Sequence, residues 1–356
     1  MGQYPCLEIH LGRLRENARR ALAFFRAHGI EPVAVTKVFC AHEAVARMLF
    51  EEGYTMLGDS RLENLRALSG IPLPKMLIRL PMISEAGEVV RWADCSLVSG
   101  EETLRALSRA AQAQNRVHQV VLMLELGDLR EGCMGEDELL RLGRLTLDLP
   151  NLVLQGVGAN LICYGGIMPS QENLGRLCAA HERMERELGV KIPWVSGGNS
   201  SDETLIAQGK MPRGVNQLRS GALIQLGIGL KDRPMPDYHQ DGYILRAEII
   251  ERNQKPSMPW GETGTDAFGH VPHFEDRGLL ERAIVAVGRQ DADLDCLRPL
   301  DQGVHILGGS SDHLLLELTG DAVGYQVGDT VAFACEYASV LRCSTSSYVK
   351  KVVIED

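Results

Sequence analysis

Short apolar runs of strand length alternate with amphipathic segments from residue 32 to about residue 226. In one such segment Leu104, Leu107, Ala110 and Ala111 recur at the spacing of a single helix face. This alternation predicts parallel strands joined by crossover helices. Eight runs fit a closed (β/α)8 barrel, with a doubly wound open sheet as the alternative that periodicity does not separate. The predicted strands are 32–36, 55–58, 75–79, 95–98, 119–125, 152–158, 194–198 and 217–221.

The pattern changes after residue 230. Residues 231–239 are rich in Pro and polar side chains and are typical of a linker. Six short apolar runs then follow, separated by Gly, Pro and Asp clusters and without a long helix, which predicts an all-β domain. The expected domains are 1–230 and 231–356, with residues 1–10 as an optional strand of the second domain. Residues 252–281 lack periodicity, and a loop that long is usually functional or mobile.

Composition excludes several classes of partner. Lys and Arg number 37 and Asp and Glu number 47, which gives a net charge of −10 and argues against nucleic-acid binding. The chain has no polybasic run for an anionic membrane, no apolar stretch long enough to cross one and no secretory signal. Nine scattered cysteines without a C-x-x-C pair predict free thiols, no metal site and a cytoplasmic protein.

Lys37 stands at the end of the first predicted strand. In a barrel, this end of the strands is where active sites are built. Because burying an ammonium group is costly, a lysine here either extends to solvent or acts as a nucleophile toward a carbonyl group. Position alone does not separate these two roles.

Two further segments suit an anionic ligand. In 195–205, VSGGNSSDETL, a predicted strand runs into glycines, hydroxyl residues and a helix start. Exposed N–H groups there favour phosphate, and helix capping by Ser200 or Ser201 is a compatible structural role. Arg219, in the last predicted strand, would bring a permanent charge toward the site, unless it is a salt-bridged structural arginine. Gly221 allows the backbone to approach a ligand closely.

These features occur together with motifs that span nearly the whole chain. The chain resembles the fold-type III, pyridoxal-phosphate (PLP)-dependent amino-acid racemases, the alanine racemase group, and most closely their ornithine racemase branch. The resemblance implies an α/β fold, a (β/α)8 TIM barrel with a C-terminal all-β domain. GRQD and SSDH are the motifs most specific to the branch. The motifs are VAVTKVFC (33–40), GDSRLEN (58–64), GDLREG (127–132), GANLICYG (158–165), SGGNSSDETL (196–205), RSGA (219–222), DAFG (266–269), AVGRQD (286–291), SSDH (310–313) and YASVLRCSTSSYV (337–349).

The resemblance implies a set of cofactor contacts. Lys37 matches the lysine that binds PLP covalently and serves as one acid/base, and Arg219 matches the arginine that faces the pyridine nitrogen. An arginine there, unlike a carboxylate, leaves that nitrogen unprotonated and favours prompt return of the proton to the α-carbon. The residues matched to cofactor binding are Lys37, Asn199, Ser200, Arg219, Gly221, Ala222 and Tyr337. Those matched to the phosphate are Asn199, Ser200, Gly221, Ala222 and Tyr337.

The resemblance also implies catalytic and substrate residues. Arg130 lies where this family often places an arginine near the substrate carboxylate. Ser311 and Asp312 match a pair that the second domain offers to the partner subunit, which implies a head-to-tail homodimer acting on a small-molecule amino acid. The catalytic set is Lys37, Arg219 and Asp312, and the substrate set is Arg130, Asn160, Arg289, Asp291 and Ser311.

The chain departs from the alanine racemase pattern at the second base. There a tyrosine in G-Y-x-D is supported by a barrel histidine, whereas here the motif is GRQD and Asn160 stands near the histidine position. Arg289 is a poor base because it hardly deprotonates. The other candidates are Asp266, His270 and His313, while Asp291, Asp293 or Asp312 could pair with the distal ammonium of a diamino acid or be plain surface acids.

The main hypothesis is a racemase that interconverts L- and D-ornithine. One alternative is a D-amino-acid aldolase or dehydratase of the same fold, which holds a metal through a His-x-Cys pair. That pair is absent from 335–338, CEYA, although Cys335 and His313 could still meet in space. The other alternative is a non-catalytic PLP carrier. Such carriers lack a β domain, and the roughly 125 residues beyond a barrel-sized first domain argue against one.

Overall fold

The structure is a computed structural model that describes residues 4–266, 268–269 and 271–355. The described residues form two compact units, Leu14–His239 and a second unit made of the residues up to Arg13 and those from Gln240 onward. The strands are β1 Cys6–His10, β2 Glu31–Val35, β3 Leu57–Asp59, β4 Lys75–Leu77, β5 Cys95–Val98, β6 His118–Met123, β7 Leu152–Gly158, β8 Trp194–Asn199, β9 Gln217–Ser220, β10 Tyr243–Pro256, β11 Leu279–Val285, β12 Leu297–Pro299, β13 Val304–Gly309, β14 Leu314–Leu318, β15 Thr330–Cys335 and β16 Lys350–Ile354.

Helices follow each of the strands β2–β9 in the first unit. None of the helices in the described part of the chain is long and apolar enough to cross a membrane. The helices are α1 Leu11–Ala27, α2 Glu43–Glu51, α3 Leu62–Ala67, α4 Ala86–Trp92, α5 Glu101–Ala113, α6 Glu136–Asp148, α7 Gln171–Leu188, α8 Glu203–Ala207, α9 Ala222–Leu226 and α10 Tyr337–Thr345.

Strands β2–β9 close into a parallel barrel. Closure is made by β2 and β9, where Val33 lies opposite Arg219 and Ala34 opposite Ser220. This confirms the predicted (β/α)8 barrel and rules out the open sheet. All eight predicted barrel strands are present, with ends that differ by a few residues.

The inside of the barrel is filled by apolar side chains. A Cβ atom on Gly58 would lie 2.9 Å from Val33 Cγ1, so glycine is needed for the strands to pack at this point. Because the interior is packed, a ligand has room only at the rim where the strands end. The core cluster is Val33, Met56, Met76, Cys95, Leu97, Val121 and Met123.

The second unit is an eight-stranded, mainly antiparallel sheet with the order β12-β15-β10-β11-β14-β13, to which β1 and β16 attach. β1 pairs with both β10 and β16, so the first strand of the chain lies in this unit. Helix α10 was not expected from the sequence. Its segment is rich in Ser, Thr and Cys, which favour helix only weakly, and it is held by burial of Val340 and Cys343, three residues apart.

Candidate active site

Lys37 is held at the rim of the barrel by the residue before it. Strand β2 ends at Val35, and Thr36 is fully buried. The Thr36 hydroxyl donates to Asp59 Oδ2 at 2.5 Å, and its backbone N–H donates to the Gly58 carbonyl at 2.8 Å. These bonds fix the backbone from which Lys37 extends, half-buried, at the predicted position.

Asp59 organises this part of the rim. Its Oδ1 accepts hydrogen bonds from the Arg61 N–H at 2.9 Å and from Asn64 Nδ2 at 3.0 Å. Burial nevertheless raises the pKa of Asp59 above its usual value. Asp59 was not among the predicted site residues, although the motif 58–64 contains it together with Arg61 and Asn64.

Arg219 lies inside the barrel with 5% of its surface exposed. Its guanidinium group donates to Ser196 Oγ and to the Ala159 carbonyl, both at 2.5 Å. These acceptors are neutral, so the guanidinium charge is not cancelled by direct contact with a carboxylate there. Burial lowers the pKa of Arg219 to about 10, which leaves the side chain charged at neutral pH. This arrangement favours Arg219 as a cation that can interact with a ligand over the alternative of a salt-bridged structural arginine.

Four of the five predicted phosphate-binding residues, all but Tyr337, come together at the ends of β8 and β9. Ser200 Oγ accepts hydrogen bonds from the N–H groups of Gly221 and Leu223, at 3.1 and 3.2 Å. Asn199 accepts from the Ser201 N–H at 2.9 Å. A Cβ atom on Gly221 would lie 3.2 Å from Val35 Cβ, so a larger residue would crowd the rim. Backbone N–H groups and a hydroxyl on two adjacent turns are suited to an anion, and Ala222 lies between the two N–H donors.

Asp202 stabilises the turn that follows β8. Its Oδ2 accepts the Asn199 N–H at 2.8 Å, whereas Oδ1 has no hydrogen-bond partner among the described residues. A Cβ atom on Gly198 would lie 2.4 Å from Asp202 Oδ2, so the carboxyl group is packed against the backbone. Burial raises the pKa of Asp202 to about 7.

The raised pKa of Asp202 predicts a stability that falls with pH. The folded chain holds this proton up to about pH 7, while the unfolded chain loses it near pH 3.8. The free energy of unfolding therefore decreases as pH rises between these values, by up to the order of 4 kcal/mol, and is level above them. Asp202→Asn keeps the shape and removes this contribution. The free energy of unfolding of wild type and of Asp202→Asn is measured with urea from pH 4 to 8. The difference between the two proteins should change with pH, and a constant difference would contradict the prediction.

Asp128 joins the loop after β6 to the loop after β7. It is fully buried, and its carboxylate accepts the N–H groups of Cys163 and Tyr164, at 3.1 and 3.0 Å, and of Ile167 at 3.3 Å. Its carbonyl accepts the Gly165 N–H at 2.9 Å. A single carboxylate thus fixes the two loops that carry Arg130 and Asn160. The sequence analysis missed Asp128, although it lies in the GDLREG motif.

Arg130 lies on the loop after β6 and is half-exposed. It forms an ion pair with Glu131, and this contact raises the pKa of Arg130 above its usual value. Glu131 and Arg130 are both within electrostatic range of Arg219. The structure therefore brings Arg130 to the same rim as Arg219, with its charge already shared with one carboxylate.

Asn160 and Cys163 face each other on the loop after β7. Asn160 is 7% exposed, and its Oδ1 lies 3.3 Å from Cys163 Sγ. The Nδ2 atom of Asn160 is buried and has no hydrogen-bond partner in the described part of the chain. Asn199 Nδ2 lies 3.8 Å from the same sulfur. All nine cysteines are described and free, and Cys163 alone is exposed.

In the second unit the two motifs specific to the branch are in direct contact. The N–H groups of Arg289 and Gln290 donate to the carbonyls of Ser310 and Ser311, each at 2.9 Å. A Cβ atom on Gly288 would lie 2.3 Å from the Asp312 nitrogen, so only glycine fits there. GRQD and SSDH therefore form one surface of this unit.

The acidic residues of this surface differ in exposure. Asp291 is buried and accepts a hydrogen bond from Ser346 Oγ at 2.6 Å, which gives it a structural role in this unit. The Asp312 side chain is 69% exposed and lies 2.8 Å from His313 Nδ1. That hydrogen bond lowers the pKa of Asp312, so its carboxylate is ionised at neutral pH and suited to a cationic ligand group.

The remaining predicted residues have local roles. Arg289 forms an ion pair with Asp295 at 3.6 Å, and Arg342 forms one with Asp293 at 3.4 Å. Tyr337 begins helix α10 and is half-buried.

The sequence offers Asp266, His270 and His313 as further candidates for the second base. Asp266 accepts the Phe268 N–H at 2.9 Å, as a turn residue does, and His313 contacts Asp312. His270 lies outside the described residues. Cys335 is buried, and within the described ranges no group of three or more His, Cys, Asp or Glu is placed to hold a metal ion.

The barrel residues fit PLP. Lys37 offers an amine at the rim and Arg219 a buried cation one strand away. The turns at Ser200 and Gly221, which Ser200 Oγ joins by accepting the Gly221 N–H, form the place expected for a phosphate. The unpaired Nδ2 of Asn160 adds a donor for a polar ligand group. The amine, the cation and the anion site thus occur on adjacent strands, as a ligand with a carbonyl carbon, an aromatic nitrogen and a phosphate requires.

Comparison with known proteins gives whole-length matches. The family model described as alanine racemase, N-terminal domain, matches residues 9–226. The ornithine racemase of Acetoanaerobium sticklandii is 38% identical over 352 residues, covering 99% of this chain and 100% of that protein. The lysine racemase of Thermotoga maritima is 38% identical over 352 residues, covering 98% of each. The crystal structure of alanine racemase from Streptomyces lavendulae has a TM-score of 0.75 at 20% identity, covering 100% of this chain and 98% of that one, and shares the fold.

Proposed function

This chain belongs to the alanine racemase family of PLP-dependent amino-acid racemases, and from that premise we propose that it interconverts L- and D-ornithine. The observation that carries the substrate class is the pair of whole-length relatives, whose names specify ornithine and lysine, two amino acids with a distal ammonium group. The identity is 38% to each, so it does not rank one substrate above the other. The GRQD and SSDH motifs form one surface in the second unit. Because these motifs resemble those of the ornithine racemase branch, we choose ornithine over lysine.

The residues of the barrel suit the steps of racemisation. When bound, PLP supplies an electron sink for the carbanion formed at the α-carbon. The Lys37 amine holds and moves the proton on one face of that carbon. Arg219 stays protonated, and therefore positively charged, at neutral pH because even its lowered pKa is about 10. The turns at Ser200 and Gly221, joined by the hydrogen bond from the Gly221 N–H to Ser200 Oγ, are the proposed site for the anionic end of the ligand and would fix its orientation.

A comparison of substrates tests the proposal. Purified enzyme with PLP is incubated with L-ornithine, L-lysine or L-alanine, and both enantiomers are quantified by chiral chromatography. We expect D-ornithine to form with the highest kcat/KM. A higher kcat/KM for lysine or alanine would overturn the ornithine assignment, and release of ammonia or an aldehyde would show a lyase instead. Cofactor binding without turnover of any amino acid would indicate a carrier.

Asp312 is the group that we expect to recognise the distal ammonium. Asp312→Asn removes the charge of an exposed carboxylate and should raise KM for ornithine by roughly two- to fivefold, as the loss of one exposed charge pair predicts. KM for norvaline, which lacks the ammonium group, should not change. Asp137→Asn, an exposed aspartate on α6, is the matched control. An equal rise in KM for both amino acids would contradict this role.

We also propose a head-to-tail homodimer in which each second unit serves the partner's barrel. A mixture of refolded Lys37→Ala and Asp312→Asn subunits tests this arrangement. The assay is run at ornithine well below KM, where Asp312→Asn also lowers the rate. Mixed dimers then contain one site with both native residues, so an equal mixture should recover at least roughly a quarter of the wild-type rate. Activity no higher than the sum of the two parent variants would contradict the proposed arrangement.

A further inference from the structure

Racemisation through two bases needs a second acid/base on the face of the α-carbon opposite Lys37, and neither Asp266 nor His313 is placed in the barrel unit with Lys37. A second proton-transfer group must lie at the same rim as Lys37 and must be open to the ligand. In the barrel unit, Cys163 meets both conditions: it is exposed, and it lies on the loop after β7.

Cys163 and Lys37 lie at separate points around this rim. The order of strands between them is β2, β9, β8 and β7. Three strand spacings correspond to about 14 Å along the rim. Arg219, on β9, donates to Ala159 at the end of β7, which ties the two sides of the rim together. A flat ligand seated over Arg219 would therefore have Lys37 toward one side and Cys163 toward the other.

A second observation at the same place points to a ligand. Asn160 is more than nine-tenths buried, contacts the Cys163 sulfur through one amide atom, and leaves its Nδ2 without a hydrogen-bond partner in the described structure. A buried donor that lacks a hydrogen-bond partner destabilises the fold. A polar group of a bound ligand beside Cys163 would satisfy that donor.

Two arginines lie near the Cys163 thiol. Both Arg130 and Arg219 are within electrostatic range of its sulfur. Reactive thiols are found in such positively charged and partly exposed surroundings. Glu131, paired with Arg130, is the nearby opposing charge, and Asp128 fixes the Cys163 backbone through its N–H.

We propose that Cys163 is the second catalytic acid/base, acting on the face of the α-carbon opposite Lys37; this inference rests on the proposed racemase function. In one direction the Cys163 thiolate takes the α-proton as the Cα–H bond breaks, and the bonding electron pair stays on the α-carbon. The protonated Lys37 amine then gives its proton to the other face. The thiol now carries a proton and the amine is neutral, which is the state from which the reverse direction starts. Proton exchange with water restores the first state.

The test uses the holoenzyme with L- and D-ornithine in separate incubations in heavy water. Cys163→Ala should lower the rate of racemisation by about 10²–10⁴-fold, the usual contribution of a positioned acid/base. Exchange of the α-proton without inversion should survive for one enantiomer only, because Lys37 still serves its own face. Cys163→Ser, whose hydroxyl is a weak base, should behave in the same way. Cys178→Ala, a half-buried cysteine on α7, is the matched control and should racemise normally.

Alkylation gives a measurement that does not depend on turnover. Iodoacetamide with peptide mass spectrometry should label Cys163 before the other eight cysteines. PLP together with saturating ornithine should slow labelling of Cys163 severalfold and leave labelling of Cys178 unchanged. Labelling of Cys163 at the same rate with and without these ligands would overturn the proposal.

The kinetic outcomes separate this inference from the proposed function. Racemisation by Cys163→Ala within a few-fold of wild type overturns the role of Cys163 alone. Loss of α-proton exchange for both enantiomers also overturns it. If Cys163 serves only one face, Lys37 should still exchange the α-proton on the other face in this variant. A wild-type enzyme that racemises no amino acid overturns both proposals.

Discussion

Lys37→Ala is expected to abolish racemisation, with a fall of at least roughly 10³-fold in kcat, and to remove the yellow absorbance of lysine-bound PLP. Lys37 lies at the rim on the backbone that Thr36 and Asp59 hold in place, and the substitution removes both the covalent attachment and the acid/base of one face. The fold should remain intact, because Lys37 is half-buried at the rim and lies outside the barrel core. Absorbance spectra and chiral assays of the same preparation measure the two effects.

Two controls sharpen the Lys37 prediction. Lys37→Arg keeps a positive charge but cannot attach PLP covalently, so it should be as inactive as the alanine variant. Lys191→Ala, a lysine that is 92% exposed, should be indistinguishable from wild type. Retention of the yellow absorbance in Lys37→Ala would show that another lysine carries the cofactor.

Arg219→Met is expected to impair both stability and activity. The substitution leaves the Ser196 hydroxyl and the Ala159 carbonyl without their charged donor in a buried place. Lost hydrogen bonds to a charged group predict a decrease of about 3 kcal/mol in the free energy of unfolding of the barrel unit. We expect racemisation to fall by at least roughly 10²-fold, because Arg219 is the buried cation of the site. Urea unfolding and initial rates measure these effects.

Arg219→Lys separates charge from geometry. It keeps the positive charge but not the planar donors, so it should recover part of the stability and little of the activity. An Arg219→Met enzyme with the wild-type unfolding midpoint and wild-type rate would contradict the assigned role of Arg219.

The barrel was predictable because its strands are buried on both faces and therefore appear as continuous apolar runs in the sequence. Lys37, Ser200 and Arg219 could be proposed as site residues from the sequence because each polar or charged side chain stands in or directly after such a run. Their mutual contacts were not predictable, since the register that places Val33 beside Arg219 depends on closure of the barrel.

The buried carboxylates were not predictable from the same pattern. Asp59, Asp128 and Asp202 each occur near glycine, where an aspartate normally indicates an exposed turn. In the structure each is buried and accepts backbone N–H groups that determine the shape of the rim. Such roles depend on which N–H groups the folded chain brings near, and one sequence does not show this.

The contact between GRQD and SSDH also depends on the folded chain. The two motifs are about twenty residues apart, and the pairing of β11 with β14 places Val285 opposite Leu314. That register brings the segment after β11 against the segment before β14. The sequence suggested that both motifs serve one substrate, but only the antiparallel register shows that they share a surface.

The most direct test of the central claim follows L-ornithine with the PLP-loaded enzyme in heavy water, by proton NMR and chiral chromatography. The account predicts D-ornithine that carries deuterium at the α-carbon, formed without loss of ammonia or carbon dioxide. Formation of D-ornithine that keeps its original α-proton, or consumption of L-ornithine without the D-enantiomer, would contradict it.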